Sequence, residues 1–162
     1  MKFAYADPPY PGNAHLYPEN EEINHTELIR YLTDEFPDGW ALSTGSNSLY
    51  EILPLCPTTV RIGAWVKPFA VFKPNVGIAY AWEPVIFHGG RRRKRNQPTI
   101  RDWVSASITL KKGVVGAKPE AFCRRLIEIF NANSEDTITE IFPGTSLLSK
   151  IWNTILQQRV LY

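Results

Sequence analysis

Apolar and polar residues alternate over Lys2-Phe3-Ala4-Tyr5-Ala6, the pattern of a strand. Asp7-Pro8-Pro9 ends it, because two prolines remove backbone donors and bar further pairing in a central strand. Pro11 to Asn24 is polar and reads as loop. Leu28, Ile29, Leu32 and Phe36 then fall on one face of a helix that Thr26 can cap and Pro37-Asp38-Gly39 stops. Trp40-Ala41-Leu42-Ser43 predicts a buried strand, Thr44 to Asn47 a turn, Ser48 to Leu55 a short helix closed by Pro57, and Thr58 to Val66 another strand. The Pro-rich stretch from Lys67-Pro68 to Asn75 reads as loop. Val76 to Trp82 and Val85-Ile86-Phe87 predict one interrupted strand or two short ones, broken at Glu83-Pro84. Gly89 to Arg101 is basic and contains proline, the composition of an exposed loop. Glu120 to Phe130 has the apolar spacing of an amphipathic helix. Thr137 to Phe142 predicts a strand, Pro143-Gly144-Thr145 a turn, Ser146 to Gln157 a last helix, and Arg159 to Tyr162 one more short strand. Strands alternating with helices predict the α/β class with a mostly parallel central sheet.

The 162 residues suffice to bury one core and are too few for two ordinary domains, so residues 1–162 are expected to form a single domain. No run approaches the roughly 18 apolar residues that cross a bilayer, and the first residues lack the charged head and apolar stretch of a signal peptide. A soluble, cytoplasmic protein without a membrane partner is expected. Cys56 and Cys123 stand apart, without the spacing of a zinc site or disulfide framework, and His15, His25 and His88 form no ligand or nucleophile set, so no metal is expected. The net charge of +2 is too small to imply a polyanionic partner. Its distribution changes the picture, because Arg91-Arg92-Arg93-Lys94-Arg95 stand together.

Ligands of open α/β sheets bind beyond the strand ends, and the first strand here ends in the rigid tetrapeptide Asp7-Pro8-Pro9-Tyr10. An aromatic amine is a poor nucleophile because its lone pair is delocalised into the ring. A carboxylate accepting one N–H and a fixed carbonyl accepting the other favour a pyramidal nitrogen whose lone pair points at an electrophile. Asp7 and the Pro8 carbonyl can be those acceptors, Pro9 stiffens the turn, and Tyr10 offers a flat face to a base that has left its stack. The competing reading is an ordinary strand-to-turn junction. A second motif, Glu140-Ile141-Phe142-Pro143-Gly144-Thr145, sets an acid, an aromatic and a glycine at a helix N-terminus, where free N–H groups and the helix dipole suit an anionic group and Gly144 permits close approach. By itself a single glycine turn is weak evidence, and a plain strand-to-helix connection is the safer reading. Lys118, before the Pro119 start of a helix, can reach an anion or be a solvated lysine.

In chain order, Ala6-Asp7-Pro8-Pro9-Tyr10, Trp65-Val66-Lys67, Trp82-Glu83-Pro84-Val85-Ile86-Phe87, Ala117-Lys118-Pro119 and Glu140 to Thr145 resemble the permuted amino-methyltransferases, whose catalytic loop precedes the cofactor motif. The likeness spans nearly the whole chain. Asn13 to Pro18 followed by Thr26-Glu27-Leu28 is most similar to the adenine methyltransferases related to the messenger-RNA adenosine methylases, whose small members occur in phages and prokaryotes. The resemblance implies a Rossmann-like sheet with helices on both faces in circularly permuted motif order, S-adenosylmethionine as methyl donor, and adenine as target because the first catalytic residue is Asp. It implies Asp7, Pro8, Pro9 and Tyr10 as the catalytic loop, and Asp7, Lys118, Glu140, Phe142, Pro143, Gly144 and Thr145 as the cofactor site. Transfer to the N6 amine of adenine in DNA is the leading expectation. An RNA adenosine methyltransferase and a catalytically silent nucleic-acid-binding or partner subunit are the alternatives. Glu140 stands where the related DNA enzymes usually have Asp, Ser146 replaces their second glycine, and no acid for the ribose hydroxyls follows before Tyr162. A homodimer or partner subunit, or another residue of the chain, is a source of that missing contact.

Clustered cations neutralise phosphates, so Arg91, Arg92, Arg93, Lys94 and Arg95, with Lys111 and Lys112 further on, are candidates for nucleic-acid contact, DNA before RNA. A solvated charged face is the plainer reading. Lys67 after its strand and His15 near the catalytic loop are further candidates. Trp65, Trp82 and Trp103 are expected in the core, with Trp82-Glu83-Pro84 able to wall a pocket.

Overall fold

The computed structural model describes residues 1–17, 21–69, 75–108 and 117–160, the side chains of 159 and 160 aside. Lys111 and Lys112 lie outside these, as do the last two residues of the strand expected from Arg159 to Tyr162. Six strands form one sheet: β1 (Lys2–Ala6), β2 (Gly39–Ser43), β3 (Arg61–Val66), β4 (Trp82–Gly89), β5 (Trp103–Ser105) and β6 (Thr137–Glu140), in the spatial order β5-β3-β4-β2-β1-β6. β1 pairs in parallel with β2 and β6, and β3 with β5. β4 is antiparallel to both its neighbours, so five of the six strands point one way. The helices are α1 (His25–Glu35), the short α2 (Leu49–Ile52), α3 (Glu120–Phe130) and α4 (Leu147–Val160). No described helix is long and apolar enough to cross a membrane.

The period of two along each strand sorts the core into two layers. Phe3, Tyr5, Ala41, Val85 and Phe87 face α3 and α4, meeting Phe122, Leu126, Phe130, Leu148 and Trp152. Ala4, Ala6, Trp40, Leu42 and Ile86 face α1, meeting Leu28, Ile29 and Leu32. Phe3 stacks on Phe130 with ring centroids 4.8 Å apart, which ties the first strand to the end of α3. Each of the larger aliphatic and phenyl side chains taken fully out of water contributes about 1.5–3 kcal/mol, so the sheet is clamped from both faces.

Several local expectations shift. Asn24, not Thr26, caps α1, its side chain accepting from the Glu27 amide. The expected break at Glu83-Pro84 does not occur. The Pro84 carbonyl accepts from the Thr44 amide, so the absent Pro84 N–H also faces β2, whose last paired residue is Ser43. No bond to β3 is lost, and Pro84 sits inside β4 opposite Ala64. Residues 76–81 form no strand. The expected strand from Thr58 begins only at Arg61, and that from Thr137 ends at Glu140, before Pro143. β5 carries too few residues for a pattern. At the other terminus α4 runs through Val160, over part of the expected last strand.

Candidate active site

The parallel strands give the sheet two unlike edges. Asp7, Thr44 and Lys67 immediately follow the carboxyl ends of β1, β2 and β3, Glu140 closes β6, and the antiparallel β4 brings Glu83 to the same edge from its start. Lys118 joins them from the approach to α3, buried to 8% exposure. Residues 111 positions apart in the chain thereby meet: the Lys118 ammonium donates to both Asp7 oxygens at 2.8 and 2.7 Å. It lies 3.4 Å from the Tyr10 hydroxyl and 3.3 Å from Glu83 Oε2. Tyr10 donates its hydroxyl to the same Glu83 oxygen at 2.9 Å, and Lys67 pairs with Glu83 Oε1. Beneath them the Trp65 ring, 2% exposed, has Lys67 4.9 Å and Lys118 5.8 Å from its centroid. Cations over an aromatic face gain from its quadrupole, which helps hold two ammonium groups at a partly dry site.

The charges balance as two carboxylates and two ammoniums, but not evenly. Burial, only partly offset by Lys118, holds the Asp7 carboxyl above its ordinary pKa. Burial also opposes the charge of Glu83, yet Lys118 and Lys67 outweigh it and its pKa falls. For Lys118 burial is again the opposing effect, overcome by Asp7 and Glu83, so it stays charged. Burial, with Asp7 and Glu83 nearby, raises Tyr10 well above the ordinary phenol, so it remains a hydrogen-bond donor. Asp7 is therefore the strained acceptor and Glu83 the stable anion. The Asp7 side chain keeps 22% exposure, an opening toward solvent.

Next to this loop is the glycine turn. β6 pairs with β1 up to Tyr5 opposite Glu140, and the Ile141 amide donates to the Tyr5 carbonyl at 2.9 Å. The turn leaving β6 and the loop leaving β1 thus lie side by side. Gly144 has φ +43°, and a Cβ built there meets nothing within 4 Å, so its backbone borders open space. Ser146, at the position of the expected second glycine, adopts φ +51°, the left-handed conformation that glycine takes without cost. Glu140 Oε2 accepts from the Ser149 amide at 3.0 Å and from its hydroxyl, capping α4 from the strand before it. Phe142 packs against the α1 layer, while Pro143 and Gly144 are exposed.

His15 is exposed on a 3-10 turn (Ala14–Leu16) that follows the Asp7 loop. The basic run is not brought to this edge. It leaves β4 at Gly89, whose φ of +66° and approach to the Asp38 carbonyl admit no side chain, and so starts at the amino edge of the parallel strands. Arg91 Nη2 donates to both Asp136 oxygens at 2.6 and 2.8 Å, and Arg93 donates to the Glu128 carbonyl at the end of α3. Arg92, Lys94 and Arg95 are exposed. Of the three tryptophans expected in the core, only Trp65 is there. Trp82 and Trp103 are each 40% exposed, the latter under the Arg101 guanidinium at 5.3 Å.

Glu83 went unrecognised as a site residue because its only sequence signal, a lone acid before a proline between apolar segments, reads as a wall. Its role needs β4 to reverse direction, which no local pattern encodes.

No protein-family model matches the chain, and no curated protein does. Solved structures do. The chain is similar to the crystal structure of the M1.HpyAVI-SAM complex, with a TM-score of 0.64, 14% identity, and coverage of 96% of this chain and 78% of that one. It is similar to the crystal structure of M1.HpyAVI, with a TM-score of 0.63, 15% identity, and coverage of 95% and 76%. At such identity the likeness establishes the fold alone: a mixed α/β fold around a mostly parallel six-stranded sheet, shared with those structures.

Proposed function

We propose that this chain is an S-adenosylmethionine-dependent methyltransferase acting on the exocyclic N6 amine of adenine in DNA. The observation that carries the reading is the placement of the Asp7 loop and the Gly144 turn side by side, at the carboxyl ends of the paired parallel strands β1 and β6. A structural neighbour solved as a complex with SAM supports the choice of cofactor. Under this reading the acceptor loop precedes the cofactor turn in the chain, the circularly permuted order.

The residues present fit such a cofactor: open space at Gly144, where a Cβ would meet nothing within 4 Å, a left-handed Ser146 and an acid at the strand end leave room for it beside the Asp7 loop. Bound S-adenosylmethionine supplies an electrophilic methyl group. Glu140, Phe142, Pro143, Gly144 and Thr145 would hold it, with Lys118 and Asp7 on the facing side. Asp7 accepts one N–H of the adenine amine and the Pro8 carbonyl the other, while Pro9 keeps the turn rigid. The Tyr10 ring is already fixed through its bond to Glu83, so a flipped base stacks without ordering it first. Phosphates fall to His15 and to the 91–95 run, Lys67 being held on Glu83. Within that run Arg92, Lys94 and Arg95 carry the role best, since Arg91 and Arg93 are occupied.

Transfer of labelled methyl from S-adenosylmethionine to duplex DNA, single-stranded DNA and RNA tests the reading, alongside calorimetry of cofactor binding. Incorporation into DNA at adenine N6 is expected. Incorporation into RNA alone overturns the choice of polymer, and absence of any binding heat overturns the enzyme in favour of a nucleic-acid-binding or partner subunit.

A further inference from the structure

Lys118 presents a difficulty for that chemistry. Its ammonium donates to both oxygens of Asp7, the acceptor that an amine needs. Each oxygen keeps a second lone pair, but a positive charge seated on both weakens Asp7 as an acceptor, so easing one of these contacts strengthens it toward a substrate N–H, and a buried ammonium does not leave its counter-charge without another. Glu83 Oε2 is 3.3 Å from the same Nζ, close enough to receive it with a shift below the length of a bond. Glu83 is itself fixed from two sides, by Tyr10 on Oε2 and Lys67 on Oε1, and so does not follow Lys118 toward Asp7.

Resting on the methyltransferase reading, we propose that Glu83 is a positioning residue that takes Lys118 off Asp7 when the substrate amine arrives, so that the Lys118–Asp7 ion pair is a latch on the acceptor. No covalent step is involved: Lys118 exchanges one carboxylate for another and stays protonated throughout. Tyr10 couples the exchange to base entry, because its hydroxyl shares Glu83 Oε2 with Lys118. A base stacking on the Tyr10 ring therefore acts on the bond that sets where Lys118 rests.

The test compares wild type, Glu83→Gln and Glu83→Asp in cofactor calorimetry, in DNA methylation across pH, and in a carbon-13 NMR titration of the Asp7 carboxyl. Asp7 is faced by Lys118 and Cys123 from the α3 side, by Glu83 from β4, by Tyr5 from its own strand, and by Tyr10 and Tyr17 from the loop after it. The negative charge of Glu83 raises Asp7, so the amide variant lowers the Asp7 titration and moves the acid limb of kcat to lower pH. With the latch unable to open, kcat falls on the order of 10- to 100-fold while KM for DNA and cofactor affinity stay within about twofold. Glu83→Asp, which keeps the charge, recovers part of kcat. Unchanged kcat and pH limb in Glu83→Gln overturn the latch, as does a loss confined to the folded fraction with kcat per folded molecule intact. A wild type that neither binds cofactor nor transfers methyl defeats the function reading instead. The NMR titration still decides the Glu83–Asp7 coupling in that case, and an unmoved Asp7 titration overturns it.

Discussion

Two aspartates at opposite edges of one sheet meet opposite fates. Asp136, just before β6, has a side chain with no exposure. It accepts from the Met1 ammonium at 2.8 Å, from Arg91 Nη2 on both of its oxygens, and from the Asn133 amide at 2.8 Å. Burial works against its charge, but these partners outweigh it and push its pKa down to about 2. Asp7, six residues and about 20 Å along the neighbouring strand, has one lysine, retains an opening to solvent, and is pushed up instead. A carboxylate whose lone pairs are all used holds strands together. One that is buried, charged and held by a single movable partner is free to accept something else.

Asp7→Asn breaks the comparison most sharply at the reactive edge. It removes the charged acceptor, and methyl transfer is expected to fall about a hundred- to a thousandfold. Folding stability changes by about 1 kcal/mol or less, since burial already disfavours the ion and Glu83 remains to hold Lys118. A raised carboxyl is protonated first as pH drops, so wild-type transfer has an acid limb above the ordinary aspartate range. A variant that transfers normally, or a limb below that range, removes Asp7 from the chemistry.

Asp136→Asn is the counterpart. Stripping one partner from a buried, multiply bonded ion pair costs about 3 kcal/mol in urea unfolding at neutral pH, with cofactor affinity unchanged below the unfolding midpoint. The sign with pH follows from a depressed carboxyl: the unfolded chain binds the proton more tightly, so the stabilisation is present above the unfolded pKa and is lost as pH falls from about 4 to about 2. The gap between wild type and variant should close over that window. A gap that stays open there assigns the loss to packing.

Much of this division was legible along the chain, and its limits are specific. The rigid loop after β1 and the glycine turn after β6 are contiguous motifs, and each was visible because prolines and glycines declare turns locally. That the two lie side by side depends on β6 pairing with β1, a contact across more than 130 positions. The basic run was equally visible, yet its place was not. Five adjacent cations look alike in one dimension, while the fold spends Arg91 on Asp136 and Arg93 on the end of α3. Glu83 shows the same limit from the other side, an unremarkable residue until β4 turns against its neighbours.

Glu140 tests whether an edge residue serves both fold and site. Its carboxylate caps α4 through Ser149, so Glu140→Ala should cost about 1 kcal/mol of stability. If it also holds cofactor, calorimetry should show weaker binding in Glu140→Gln, which keeps an acceptor for the cap. Equal affinity confines Glu140 to capping.

The smallest effect on folding should come from the exposed cations of the far edge, and it sharpens the comparison there. Arg92, Lys94 and Arg95 are exposed, so replacing all three with alanine should change stability by about 0.5 kcal/mol or less, the range of ordinary surface substitutions. Arg91→Ala, which leaves Asp136 with only the Met1 ammonium and the Asn133 amide, should destabilise in the same direction as the loss of that aspartate. In DNA binding the ranking reverses. Each phosphate neutralised releases counterions, so the triple variant should reduce the slope of log affinity against log salt by about 2 to 3, whereas Arg91→Ala should leave it in place. A triple variant with an unaltered slope would mean that the polymer never reaches the amino edge, and that the cations guiding it to Asp7 are those of the reactive edge itself.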